Sequence, residues 1–113
     1  MELVRLIMLE IEKNPDPMAW VDINISGHTD LEISYHIMLL YESGLVDAND
    51  LSSNDGMAWK AKRLTFEGHE FLDEARSDTV WNSAKEKILS ATGTLTLEAL
   101  KFVLPRIVRQ MLS

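Results

Sequence analysis

The chain contains no cysteine. Disulfides, thiolate nucleophiles and cysteine-ligated zinc or iron–sulfur centres are therefore excluded together, and a reducing cytoplasm is the expected setting. A long apolar run is missing too. The opening MELVRLIMLEIEK has one basic residue before its short hydrophobic stretch and acidic interruptions at Glu10 and Glu12, so neither a secretory leader nor a membrane span is expected. The third shortage concerns cations. No Lys or Arg occurs between Lys13 and Lys60, an interval holding eight carboxylates: Asp16, Asp22, Asp30, Glu32, Glu42, Asp47, Asp50 and Asp55. A polyanion is held by cations that neutralise its phosphates, so this half of the chain is poorly equipped to bind nucleic acid.

The 113 residues are 46% hydrophobic with no low-complexity tract, enough for a folded domain with a core of its own. In ELVRLIMLEIEKN, Leu3, Val4, Ile7, Met8 and Ile11 recur at helical spacing and Pro15 stops the pattern. Val21, Ile23 and Ile25 alternate with Asp22, Asn24 and Ser26, the period of a short half-buried strand. Thr29 to Glu32, TDLE, has the form of a capping box and opens a helix that runs to about Ser43, with Gly44 as a left-handed cap. Polar NDLSSNDGM between GLVDA and AWKAKRLT predicts a hairpin. Thr65 then caps a helix with Phe66, Phe71, Leu72 and Ala75 turned inward, and Ser77 or Asp78 caps the next, with Val80, Trp81, Ala84, Ile88 and Leu89 on one side. The last helix is apolar at Leu97, Leu100, Leu104, Ile107, Val108 and Met111, and Pro105 within it predicts a kink.

Charge is unevenly spread. Residues 1–78 hold 6 Lys+Arg against 16 Asp+Glu, a balance of −10, and residues 79–113 hold 5 against 2, or +3. The expected organisation is a winged-helix-like domain over 1–78, with a helical extension over 79–113 that packs on it or forms a dimer seam. The expected fold class is mainly α with a small β-hairpin, an α+β domain.

The order helix, strand, helix, hairpin, helix and the stretch SYHIMLLYESGLV resemble the recognition helix and following strand of ArsR-type and MarR-type repressors. RLTFEGHEFL is similar to the turn where their wing meets the next helix. The whole chain resembles more closely a family of short phage and bacterial proteins, domain-of-unknown-function family 2513. The resemblance is carried by Tyr35 to Leu45, by LTFEGHEFLDEAR over Leu64 to Arg76, and by TVWN over Thr79 to Asn82. It implies a winged helix-turn-helix-like fold and a phage or prophage setting, and no activity.

Three functional readings follow. In the first, a non-enzymatic module acts through protein contacts: Tyr35, Met38 and Tyr41 of the central helix form the partner surface, since aromatics and methionine without positive charge suit a protein better than phosphates. Leu95, Phe102, Val103 and Leu112 give the last helix a second apolar flank, the expected seam of a homodimer. In the second, a DNA-binding regulator holds phosphates with Lys60, Lys62, Arg63, Arg106 and Arg109 while Ser34 and Tyr35 approach bases. In the third, the acidic body is a decoy of nucleic acid presented to a host protein. His69 and Asp73 lie one helical turn apart beside Glu70, but the zinc-protease spacing needs histidine where Asp73 stands, so no metal is expected. No nucleophile elbow surrounds a serine and no phosphate-cradling glycine loop precedes a helix, so no catalytic group or cofactor is expected either.

Overall fold

A computed structural model describes all residues, Met1–Ser113. It is α+β, with five helices and one two-stranded antiparallel sheet: α1 (Glu2–Glu12), α2 (Asp30–Glu42), β1 (Val46–Asp50), β2 (Trp59–Leu64), α3 (Phe66–Ala75), α4 (Asp78–Thr92) and α5 (Leu97–Leu112). The chain divides into two compact units, Glu2–His69 and Glu70–Ser113, the latter counted with Met1. The division falls inside α3, whereas the charge pattern placed a boundary at residue 78. No helix is long and apolar enough to cross a membrane.

In Glu2–His69, α1 buries the whole of its predicted ridge, Leu3, Val4, Ile7, Met8 and Ile11, and packs with α2 and β2. No helix intervenes between Glu12 and Asp30. The strand expected over Val21 to Ile25 does not form. Its sequence alternates, but only one of its amides, that of Val21, reaches β2, donating to the Ala61 carbonyl at 2.9 Å. A ladder needs bonds at every second residue, and the Trp59 amide, the next group of β2 along that edge, is already held by the Ser34 hydroxyl oxygen at 3.0 Å. Beyond Ala61 on the other side the Asn14 side-chain amide donates to Lys62 O at 2.9 Å and to Ala19 O at 3.1 Å. Lys62 is also the residue skipped in the β1–β2 register, which runs Val46 to Leu64, Asp47 to Arg63, then Ala48 to Ala61.

Both ends of α2 follow their sequence signals. The Thr29–Glu32 capping box is complete. At the other end Gly44 has φ +81°, its amide donates to Tyr41 O at 3.0 Å and the Leu45 amide to Leu40 O at 3.0 Å, a Schellman closure that needs a residue without Cβ strain. The same turn docks the start of α3. Thr65 donates from its amide to Leu45 O (3.0 Å) and from its hydroxyl to Gly44 O (2.6 Å), while that hydroxyl accepts from the Gly68 amide (3.0 Å). Gly68 is required by proximity: a Cβ there would overlap the Leu45 carbonyl.

In Glu70–Ser113, Ser77 caps α4 by accepting from the Val80 amide, Gly93 ends it at φ +76°, and Thr96 caps α5 through the Ala99 amide. The two helices pack on each other, burying Val80, Trp81, Ala84 and Ile88 of α4 and Leu97, Leu100, Leu104 and Ile107 of α5. α5 continues as one helix through Pro105. Three residues expected inside are exposed: Phe66 (78%), Leu89 (47%) and Met111 (53%). For Phe66 and Leu89 the reason is angular. At 100° per residue Phe66 lies roughly opposite the Gly68, Phe71, Leu72 and Ala75 face, and Leu89 lies well off the Trp81–Ile88 ridge. Met111 has the right angle but sits in the final turn.

Candidate functional site

α2 is anchored at its start by Glu32. Its carboxylate accepts from the Thr29 amide at 3.1 Å and from the Thr29 hydroxyl at 3.2 Å, with His28 Nδ1 at 3.1 Å from its other oxygen. The Thr29 amide, and after it His28, holds this carboxyl below the ordinary glutamate value. From that anchor Ile33, Ile37 and Leu40 run along the buried side. Tyr35 and Tyr41 are 47% and 46% exposed. Half-buried Met38 lies between them in angle, so the three residues cover one arc of the helix. The Tyr41 ring tilts against Trp59 of β2 with centroids 5.4 Å apart, and Tyr35 meets His36 edge-on at 5.9 Å.

Ser34 is a correction. Expected on the outer face as a base contact, it is buried, and its Oγ accepts the Trp59 amide of β2 at 3.0 Å. A serine on the strand-facing side of α2 thus substitutes for a missing strand partner, which removes it from any nucleic-acid surface.

The β2 cations are each engaged within the unit. Lys60 Nζ lies 2.8 Å from Asp22 Oδ1, Arg63 lies 2.9 Å from Asp47 Oδ2, and Lys62 Nζ sits 4.2 Å over the Trp20 ring. The Lys60 hydrogen bond, reinforced by its charge, holds the Asp22 carboxyl below the usual aspartate range. Such exposed pairs add little to stability, but they offset the positive charge that phosphates would need. Arg106 and Arg109 belong to the other unit. Arg106 stacks on Phe102 at 4.2 Å, and the charge of Arg109 favours ionisation of Glu74. Burial outweighs it: Glu74 is pushed above its ordinary value, first by desolvation and then by Glu70. The residues proposed for phosphate contact are thus divided between two units. No three His, Asp or Glu side chains converge in a way that could hold a metal ion.

One feature of Glu2–His69 escaped the sequence reading. A cleft of about 420 Å³ lies between residues 21–24, the first turns of α2, and residues 57–60. Ile23, Ile33, Ile37, Met57 and Trp59 supply its apolar lining, and Asp22, Asp30 and Lys60 its charges. Assigning Val21 to Ile25 to the sheet hid it, because a paired strand would have filled that space.

Residues 1–94 match the model of the family described as hypothetical protein (DUF2513). The chain belongs to the DUF2513 family. A Haemophilus influenzae relative, described as an uncharacterized protein, is 40% identical over 113 residues, covering 99% of this chain and 96% of that protein. No solved structure matches the chain. The DUF2513 match includes all of Glu2–His69, with the α2 arc and the cleft, and stops before α5.

Proposed function

We propose that this DUF2513 chain is a non-enzymatic winged-helix module that acts through protein contacts, with α2 as the presented helix and β1–β2 as the wing. The order α1, α2, hairpin, α3 supports the winged-helix reading. The observation that carries the choice of partner is electrostatic. α2 has no Lys or Arg, and Lys60, Lys62 and Arg63 already face Asp22, Trp20 and Asp47. A duplex-binding surface typically offers ~6–10 unencumbered phosphate contacts. Tyr35, Met38 and Tyr41 provide an apolar and aromatic arc with a polar rim, the chemistry of a protein interface. The module is taken to be cytoplasmic, in keeping with zero cysteines, and to belong to a phage or prophage setting.

Self-association belongs to the same reading. Phe102 (62% exposed), Met111 and Leu112 leave apolar surface on α5, for which a second copy of the chain is the proposed cover. The module is expected to run as a dimer in light scattering, and Phe102→Glu is expected to return it to monomer.

A mobility-shift titration of duplex DNA at low and moderate salt tests the partner class. The expected result is no retention at either salt. Retention that weakens with salt and disappears in the Lys60→Ala, Lys62→Ala, Arg63→Ala triple variant would establish a DNA-binding regulator instead. A complex with a DNA-binding protein that DNA displaces would favour the decoy reading, for which the acidity of Glu2–His69 speaks.

A further inference from the structure

We propose that the cleft beside residues 21–24 receives an extended segment of a protein partner, carrying a basic residue among apolar ones and held as an added strand. The inference rests on the reading that the module works through protein contacts, and it names what those contacts recognise.

The first observation is backbone supply. Residues 21–25 have strand-type alternation, yet the amides and carbonyls of Asp22, Ile23 and Asn24 make no hydrogen bond within the chain; the flanking bonds are Val21 to Ala61 and His28 to Ile25. Three consecutive residues beside the cleft thus have backbone donors and acceptors without a partner in the chain, as strand addition requires. The Trp59 amide across the cleft is held by a serine side chain rather than by a strand. The second observation is shape and lining. About 420 Å³ lies within the range of ligand sites, and the mixed lining sets Ile23, Ile33, Ile37, Met57 and Trp59 beside Asp22, Asp30 and Lys60.

The third observation is charge. Asp30 lines the cleft and has no cationic partner, while Asp22 has only the exposed Lys60, whose bridge opens at little cost. Two carboxylates against one lysine select an incoming Lys or Arg. The unit around them holds 5 Lys+Arg and 12 Asp+Glu, which steers the same way.

The test uses the ¹⁵N-labelled full chain and an acetylated octapeptide of alternating Val and Lys. Expected are saturable amide shifts at Asp22, Ile23, Asn24 and Trp59, with hydrogen exchange at residues 22–24 slowed by about tenfold or more. The Val–Glu octapeptide and a Val–Lys octapeptide with alternate amides N-methylated are expected to bind at least about tenfold more weakly. The double variant Asp22→Asn, Asp30→Asn, whose spectrum reports on folding, is expected to lose affinity for the Val–Lys peptide alone. Absence of shifts at residues 22–24 at millimolar peptide, or equal binding of the N-methylated peptide, would overturn the proposal. Shifts confined to Tyr35, Met38 and Tyr41 would also overturn it while leaving the contact-module reading intact, whereas DNA retention in the mobility assay strikes that reading itself.

Discussion

Glu2–His69 carries the whole net charge of the chain, with 5 Lys+Arg against 12 Asp+Glu for −7, whereas the residues from Glu70 to Ser113 balance at 6 against 6. The picture of an acidic body with a basic tail depended on cutting at residue 78. Glu70, Asp73, Glu74 and Asp78 fall with the C-terminal helices once the division lies inside α3, and they neutralise that unit. The two units also differ in what organises them. From Glu70 onward the elements are amphipathic helices with capping side chains, all encoded locally. In Glu2–His69 side chains reach distant backbone, Asn14 of the long irregular segment to Lys62, Ser34 of α2 to Trp59, and Thr65 to Gly44. Local helix chemistry leaves few backbone groups unclaimed, and the irregular segment leaves a cleft.

Four measurements would break or sharpen this contrast. The largest effect is expected for Trp81→Ala, which removes a fully buried ring and should cost about 3–5 kcal/mol in urea denaturation of the full chain. Trp20→Ala, at a residue 39% exposed, should cost less than ~1 kcal/mol. Equal costs would show that the tryptophans do not separate into core and surface roles as described. Next comes Gly68→Ala, normally a helix-stabilising change, which should destabilise by about 2–3 kcal/mol because the added carbon meets the Leu45 carbonyl. A gain in stability would mean that α3 can move away from the α2–β1 turn without loss.

Thr29→Ala should cost about 1 kcal/mol at neutral pH through the lost cap. Glu32 is held below its ordinary value, so its contribution is present above that value, near 4.5, and is lost as pH falls through the folded pKa. The wild-type advantage over Thr29→Ala should therefore shrink in acid; a difference independent of pH would show that the threonine acts without the glutamate. Glu74→Gln is the smallest effect and has the opposite sign. A raised carboxyl pKa means that stability present below 4.5 is lost as pH rises through the folded value, so the glutamine variant should melt higher than wild type at neutral pH and equally in acid. A lower melting point at neutral pH would show that attraction to Arg109 outweighs burial.

Helix positions, both ends of α2 and the caps at Thr65 and Ser77 were determined by the sequence alone, because each rests on groups within about one turn of one another, and the hairpin was marked by the polar turn-forming run between its strands. The exposure of Phe66 and Leu89 follows from helical angles already present in the spacing. Only the tertiary structure decided that residues 21–25 leave the sheet, that Ser34 turns inward, that each β2 cation finds a partner and that a cleft opens beside Ile23. Those outcomes depend on competition between residues tens of positions apart for the same carbonyl, amide or charge. Alternation in a segment states which side chains could share a face, but not whether a neighbouring strand has any hydrogen bonds left to offer.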